Sequence, residues 1–490
     1  MLMGGGRKRV AGAASVGSGA LWSGINTLVM RVANVLLMVL AVRLVSPHDF
    51  GVFTAALVVG TIATSISELG VASALIRRDL AIEEYGPTVV AIAWAWSGLL
   101  ALFMVLAADP LAHALGAPEA GGAIRVLALG VVASGFSSVP GALLARDFRQ
   151  RSLFAAGAIA FVPSSALLLL LALGGSGAMS FAWSKVVTAS VTGIGLLVLG
   201  RRWIWPRIDA KALHFLLRFG LPLAGANVVG YALLNADFAL VGNAMGPALL
   251  GIYSVAFSVA SLSVSVLSSA LNSVAMPAFS DHHDDSDRLR ASIRSWGSAV
   301  FLIALPLCGF TSVFAHEIIA VLYGSAWAAA APVVTVLALY SVPMLVELML
   351  SNLLVAVGRT GSAFLVQCIW LIALSIGMLV GLGPLGLMGV AWAHVVVLLG
   401  VVLPVQVLLV RRAVPGSLRG LWRDLGRPIA ATAVASLAAF TVTVPISLEW
   451  LRILAGGAIG AGIYLLGTRP VWRARLTLMR QPRPSPVGGV

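Results

Sequence analysis

Charge is scarce in this chain. Asp, Glu, Lys and Arg together make up 10% of its 490 residues, where soluble domains carry about 25%, so an ordinary water-soluble fold is excluded. Acidic residues are the scarcer kind, 18 against 32 basic ones, giving a net charge of +14 and a pI of about 11.0. In a soluble protein that excess would point to nucleic acid; here the position of the charges decides, and no nucleic-acid partner is expected. Cysteine is nearly absent: Cys308 and Cys368 both fall in apolar runs, which excludes a disulfide framework and a zinc site.

Catalytic signatures are lacking as well. A phosphate-binding loop needs Gly-Lys-Ser/Thr, but Lys8, Lys185 and Lys211 are followed by Arg9, Val186 and Ala212. His316-Glu317 opens like a zinc-protease helix, yet Ala320 stands where the second histidine belongs. Asp281-His282-His283-Asp284-Asp285 has ligands for a divalent metal, but a charge run in a loop is as a rule simply solvated. Neither a cofactor, a metal nor enzymatic activity is expected.

Apolar sequence, by contrast, is abundant: 60% of residues are hydrophobic and the mean hydropathy is +1.01. Runs close to the roughly 20 residues of a spanning helix occur fourteen times, the first centred near Ala33 and the last near Ile459. These are continuous runs and not ten-residue alternations, which excludes a β-barrel. Arg7-Lys8-Arg9 before the first run could open a signal peptide, but the run continues to about Leu44 without a cleavage site, so it reads as an uncleaved helix. With fourteen spans and the N-terminus inside, 27 basic residues fall on the inner side, Arg43, Arg125 and Arg452 on the outer side, and Arg31 and Lys185 within spans. By the positive-inside rule both termini are cytoplasmic.

The chain also matches itself. At an offset of 200, Pro47, Gly51, Phe53 and Ala56 return as Pro247, Gly251, Tyr253 and Ala256, and Thr54, Thr61, Ser65 and Glu68 fall opposite Ser254, Ser261, Ser265 and Ser268. At an offset of 210, Val126-Leu127-Ala128-Leu129 returns as Val336-Leu337-Ala338-Leu339, with Arg149 opposite Arg359 and Phe154 opposite Phe364. Both matches displace the chain by six spans, an even number, so the halves keep the same orientation, as parallel transporter repeats do. The expected fold is all-α and membrane-integral, with two pseudo-symmetric six-helix lobes, residues 1–205 and 206–412, and two further helices in 413–490.

Polar residues inside the spans mark candidate sites. Ser23, Asn26, Thr27, Arg31 and Asn34 share one face of the first span. A charge at the centre of a span costs about 2.5 to 3.5 kcal/mol, so Arg31 is expected to face a wet cavity or a partner. Lys185 lies in the outer half of the sixth span, beside Trp183. The second half offers Asp237 and Glu347 instead, which suggests an anionic substrate group on one lobe and a coupling cation on the other. Glu68 lies at the inner end of the second span, and His394 reads as a hydrogen-bonded bundle residue. Ser254, Ser258, Ser261, Ser265, Ser268 and Asn272 form one stripe on the eighth span, consistent with helix packing or with a central cavity between the halves.

Several motifs carry a family resemblance: Leu44-Val45-Ser46-Pro47-His48-Asp49-Phe50-Gly51, Ala74-Leu75-Ile76-Arg77-Arg78, Asn235-Ala236-Asp237-Phe238, Gly251-Ile252-Tyr253-Ser254, Met276-Pro277-Ala278-Phe279-Ser280 and Leu322-Tyr323-Gly324. From about Ala20 to Val410 the chain resembles the polysaccharide transporters often called Wzx-type flippases, of the superfamily that includes MATE-fold exporters. The resemblance implies two six-helix lobes around a central cavity and alternating access in a bacterial inner membrane. The cargo it implies is a polyprenyl-diphosphate-linked oligosaccharide for O-antigen, capsule or exopolysaccharide. Arg31 and Lys185, with Asn34, Ser261 and Ser265, suit the diphosphate and cavity by position and charge; Asp237, Glu347 and Glu68 are candidates for coupling or gating. Membrane lipids, a polysaccharide polymerase and assembly proteins are the expected partners. Two alternatives stand: a cation-coupled drug exporter or peptidoglycan lipid-precursor flippase, and a membrane polymerase, ligase or glycosyltransferase.

Overall fold

In hydrocarbon every backbone N–H and C=O must be satisfied within the spanning segment itself, so continuous apolar runs have little choice but to become helices. The computed structural model describes residues 29–67, 75, 81–200, 203–270, 286–416, 418 and 421–480, and among them there is no strand. Glu68, Arg77, Arg78, the Asp281–Asp285 segment and the start of the first span lie outside the described residues.

The helices are α1 (29–43), α2 (Pro47–Ser67), α3 (Ile82–Leu106), α4 (Gly121–Arg146), α5 (Gln150–Leu173), α6 (Ala178–Gly200), α7 (Ala210–Ala270), α8 (Ser286–Val313), α9 (Ala331–Ala356), α10 (Thr360–Leu385), α11 (Leu387–Ala413), α12 (Leu421–Thr443) and α13 (Glu449–Arg480). Eleven stretches among the described residues are long and apolar enough to cross a membrane, or twelve if the bent pair Gly297–Val313 and Ala315–Tyr323 is one span. The sequence suggests fourteen. Part of the difference lies in α7, where the spans expected near Gly230 and Ser263 run on as one element interrupted at Gly246 (φ 79°, ψ 175°). Glycine alone adopts that conformation without penalty, and Pro247 then restarts the helix with its fixed φ and missing N–H.

Two compact units divide the chain, Met1–Gly251 and Ile252–Val490. Within the first, α6 packs on α5 and α4, and α4 on α3. Within the second, α11 packs on α10 and α9, and α9 on α8. Because α7 holds two expected spans, this is the same packing order displaced by six.

The same helix-ending turn closes α4 and α9 at matched positions, as it also closes α5 and Ala108–Ala114. After α4, Asp147 N donates to Leu143 O (3.0 Å), Phe148 N to Ala145 O (3.1 Å) and Arg149 N to Leu144 O (2.9 Å). After α9, Val357 N donates to Leu353 O (3.1 Å), Gly358 N to Val355 O (3.0 Å) and Arg359 N to Leu354 O (2.8 Å). Both are helix-ending turns that need a left-handed residue. Gly358 (φ 76°) fills the place in the second unit, whereas in the first it falls to Phe148 (φ 54°), which alone among the described non-glycine residues has a positive φ.

The short connections expected outside are helical too. Ala108–Ala114 and a 3-10 turn, Pro118–Ala120, precede α4; Ala315–Tyr323 and Ser325–Ala330 precede α9. On the first unit Gly51 meets Gly251 so closely that a methyl group on either would overlap the carbonyl oxygen of Pro247 or Pro47. Asp49 belongs to the cap of α2: Ser46 Oγ donates to its carboxylate (2.7 Å) and accepts its N–H (3.1 Å).

In the second unit α12 and α13 pack on each other and on α8, and α13 packs on Ala315–Tyr323 as well. Arg452 Nη1 bonds Glu317 Oε1 at 2.8 Å, and its guanidinium lies 5.0 Å from the centre of the Phe440 ring. Tyr464 donates to Leu302 O (2.8 Å), and Gly456 makes room for the Phe314 ring. His316-Glu317 thus belongs to an ion-paired helix contact.

The segment 203–209 lies along the start of α3, with Arg207 N donating to Pro87 O (3.1 Å) and Asp209 N to Thr88 Oγ1 (3.2 Å). Asp209 caps α7; the N–H groups of Ala212 and Lys211, each 2.9 Å from Oδ1, hold its carboxyl below the usual carboxylate range.

Candidate functional site

Along α6, Phe181, Ser184, Lys185 and Thr188 recur at helical spacing and share one face. The opposite side packs with Ala182 and Val186 buried, which fixes the direction of that face. Phe181 stacks on Phe53 of α2 with ring centres 5.0 Å apart. Lys185, one turn further on, opens onto two chambers.

The larger has a volume of about 430 Å3 and lies between α1, α2, α5 and α6, with Asn34, Phe53, Phe154, Phe161 and Phe181 in its wall. The smaller, about 240 Å3, is lined by Thr61, Thr64, Ser65, Ser134 and Tyr231. Leu57 and Lys185 belong to both linings. Lys185 pairs with no acidic side chain among the described residues. An ammonium in hydrocarbon without a counter-ion is costly unless water or an anionic ligand meets it. Chemically such an arrangement can receive an anion, since a cation and hydroxyl groups can replace the water around a phosphate.

Of the residues singled out from the sequence, the structure brings Lys185 and Asn34 together in the larger chamber. Arg31 is exposed on α1 and lines neither chamber. Ser261 and Ser265 lie in the second unit, their hydroxyls donating to Ser258 O (3.0 Å) and Leu262 O (2.9 Å). Asp237 is buried and accepts from the N–H of Phe238 (2.9 Å). Glu347 is buried on α9, and Gln406 Nε2 of α11 donates to its Oε1 at 3.3 Å. His394 is hydrogen-bonded to the Tyr253 hydroxyl at 2.9 Å, within the bundle. Sequence reasoning missed Thr64, Ser134 and Tyr231 of the smaller chamber and Ser164, Ser184 and Thr188 of the larger. All are uncharged residues in apolar runs, so nothing distinguishes them from packing residues until the helices are in place; Thr61 and Ser65 were visible as a polar face.

Known proteins match the chain on both sequence and fold. The family described as "Polysaccharide biosynthesis protein" matches residues 39–332, and that of the lipid II flippase MurJ matches residues 240–454. Among individual relatives, the lipopolysaccharide biosynthesis protein WzxC of Escherichia coli is 24% identical over 71% of each chain. The succinoglycan biosynthesis transport protein ExoT of Rhizobium meliloti is 30% identical over 61% of this chain and 60% of its own. The teichuronic acid biosynthesis protein TuaB of Bacillus subtilis is 22% identical over 91% and 94%. Among solved structures, the inward closed conformation of MurJ gives a TM-score of 0.75 at 13% identity, covering 93% of this chain and 100% of that one. An inward-facing multidrug MATE transporter gives 0.63 at 18% identity, covering 79% and 95%. With a MATE-like all-α membrane fold and a family match across more than half its length, the chain belongs to the polysaccharide biosynthesis protein family.

Proposed function

We propose that this protein is a flippase that carries a polyprenyl-diphosphate-linked oligosaccharide from the cytoplasmic to the outer leaflet of the inner membrane for surface polysaccharide synthesis. The observation that carries the reading is Lys185, an intramembrane cation without an acidic partner among the described residues, in a hydroxyl-lined cavity of a polysaccharide-biosynthesis family member. A diphosphate cannot cross hydrocarbon unaided, and a fixed cation compensates part of its lost hydration. Arg31 supplies a second cation on the same half. The proposed lobes are residues 1–205 and 206–412, working by alternating access, with both termini cytoplasmic and residues 413–490 attached to the second lobe. Ser261 and Ser265 complete the proposed set of substrate-binding residues. Asp237 and Glu347, and Glu68 outside the described residues, serve coupling or gating. A polymerase and assembly proteins receive the product.

A second reading, a flippase for the peptidoglycan lipid precursor, is favoured by the MurJ family match over residues 240–454. Complementation separates the two. Restored surface polysaccharide in a strain lacking its polysaccharide flippase supports the first reading; rescue confined to a strain depleted of its peptidoglycan-precursor flippase supports the second and refutes the first.

A further inference from the structure

Lys185 stands at the neck between two chambers whose remaining hydrogen-bonding capacity differs. In the larger one, the hydroxyl protons of Ser164, Ser184 and Thr188 and one amide N–H of Asn34 are already given to helix carbonyls. Asn34 Nδ2 donates to Met30 O (2.7 Å), Ser164 Oγ to Phe161 O (3.1 Å), Ser184 Oγ to Ser164 O (3.0 Å) and Thr188 Oγ1 to Ser184 O (2.8 Å). Apart from Lys185, the rest of that wall is apolar, including two methionines and four phenylalanine rings. In the smaller one, Thr61 and Thr64 are tied back in the same way, to Leu57 O (2.7 Å) and Gly60 O (2.8 Å). Ser65 is different: its hydroxyl is buried and has no hydrogen-bond partner among the described residues.

These facts decide what each side can hold. A sugar in the larger chamber, whose lining is mostly apolar, would leave most of its hydroxyls without partners, which costs free energy for every buried group; a hydrocarbon chain would not. At about 430 Å3 that chamber is in the range of small-molecule sites, about 300 to 1,000 Å3, while the smaller, at about 240 Å3, is below it and suits a compact head group.

We propose that the pair of chambers takes an amphiphile lengthwise. Its phosphate lies on Lys185 with the hydroxyls of Ser65, Ser134 and Tyr231, and the first part of its hydrocarbon chain lies among Phe53, Phe154, Phe161 and Phe181. The ligand's identity as a prenyl diphosphate rests on the flippase reading above. The chemistry, an anionic phosphate joined to hydrocarbon, is shared with an anionic phospholipid. It follows that the carbons next to the diphosphate leave the bilayer for protein while the far end of the chain stays in lipid.

Native mass spectrometry of the full chain in detergent tests this, with geranylgeranyl diphosphate, inorganic diphosphate, geranylgeraniol and phosphatidylglycerol as probes. Geranylgeranyl diphosphate is expected to bind about tenfold or more tightly than each of the other three. Gly157 lines the larger chamber and a Cβ there meets nothing within 4 Å, so Gly157→Leu extends into the chamber. It is expected to weaken geranylgeranyl diphosphate by about tenfold, the worth of some two buried methylenes, and to leave inorganic diphosphate unchanged. Ser65→Ala is expected to weaken both. Unchanged prenyl diphosphate binding by both Gly157→Leu and Phe161→Ser overturns the chain chamber, as does inorganic diphosphate binding as tightly as the prenyl form. Phosphatidylglycerol binding as tightly overturns the ligand assignment. None of these touches the flippase reading, which fails instead if the unaltered protein does not complement a flippase-deficient strain.

Discussion

Gly51 and Gly251, equivalent positions in the two copies of the repeat, lie against each other, each backbone occupying the space where a Cβ on the other would stand. Small residues of this kind let helices approach closely in a membrane, where packing drives association.

Replacing either glycine by valine is expected to force that contact apart and to destabilise the protein by about 1 to 3 kcal/mol. Gly122→Val serves as the control, since nothing lies within 4 Å of a side chain there. Thermal unfolding in detergent checks the difference; equal midpoints for the two variants would mean that the crossing is not tightly held.

Lys185→Ala and Arg31→Ala are each expected to abolish surface polysaccharide while membrane-inserted protein stays at its normal level. Lys185→Arg should retain part of the function, because a cation remains at the neck of the two chambers. Polysaccharide staining together with immunoblots of membrane fractions reads both quantities, and full polymer production by the alanine variants would sink the assignment.

Arg452→Leu leaves Glu317, 4% exposed at its side chain, without its partner. Breaking a buried pair in this way is expected to cost about 3 to 5 kcal/mol, and pairing the change with Glu317→Leu should recover most of it. The unfolding midpoints of the two single variants and the double variant form the cycle that measures this coupling.

Phe148→Gly is expected to raise stability by about 0.5 to 1 kcal/mol, relief of left-handed strain being partly offset by the greater freedom of the unfolded chain. The converse change, Gly358→Phe, should lower it. Unfolding midpoints of opposite sign confirm the pair; a loss in both would assign the Phe148 side chain a packing role that outweighs its backbone.

Much of the fold is legible in the sequence because a bilayer leaves so few options. Apolar runs of spanning length specify helices, and matches at offsets of 200 and 210 residues anticipate a packing order and a turn that do recur. Lys185 is visible for the same reason: a cation in a span is conspicuous. Other features depend on contacts made at a distance. The number of spans is blurred at Gly246, where two helices follow each other directly across a kink. The helices at Ala108–Ala114 and Ala315–Tyr323 are too short for hydrophobic periodicity to announce them. The attachment of α12 and α13 hinges on Glu317 and Arg452, 135 positions apart in the chain. Neither residue had any visible reason to be read with the other.

The turns at Phe148 and Gly358 show one main-chain bend carried by two very different residues. One copy holds the residue whose backbone favours the bend, the other a residue that resists it, and the same three main-chain hydrogen bonds close both. Side-chain identity differs at that position while the main-chain bend is the same. A substitution there is therefore best judged by the bend that its surroundings impose.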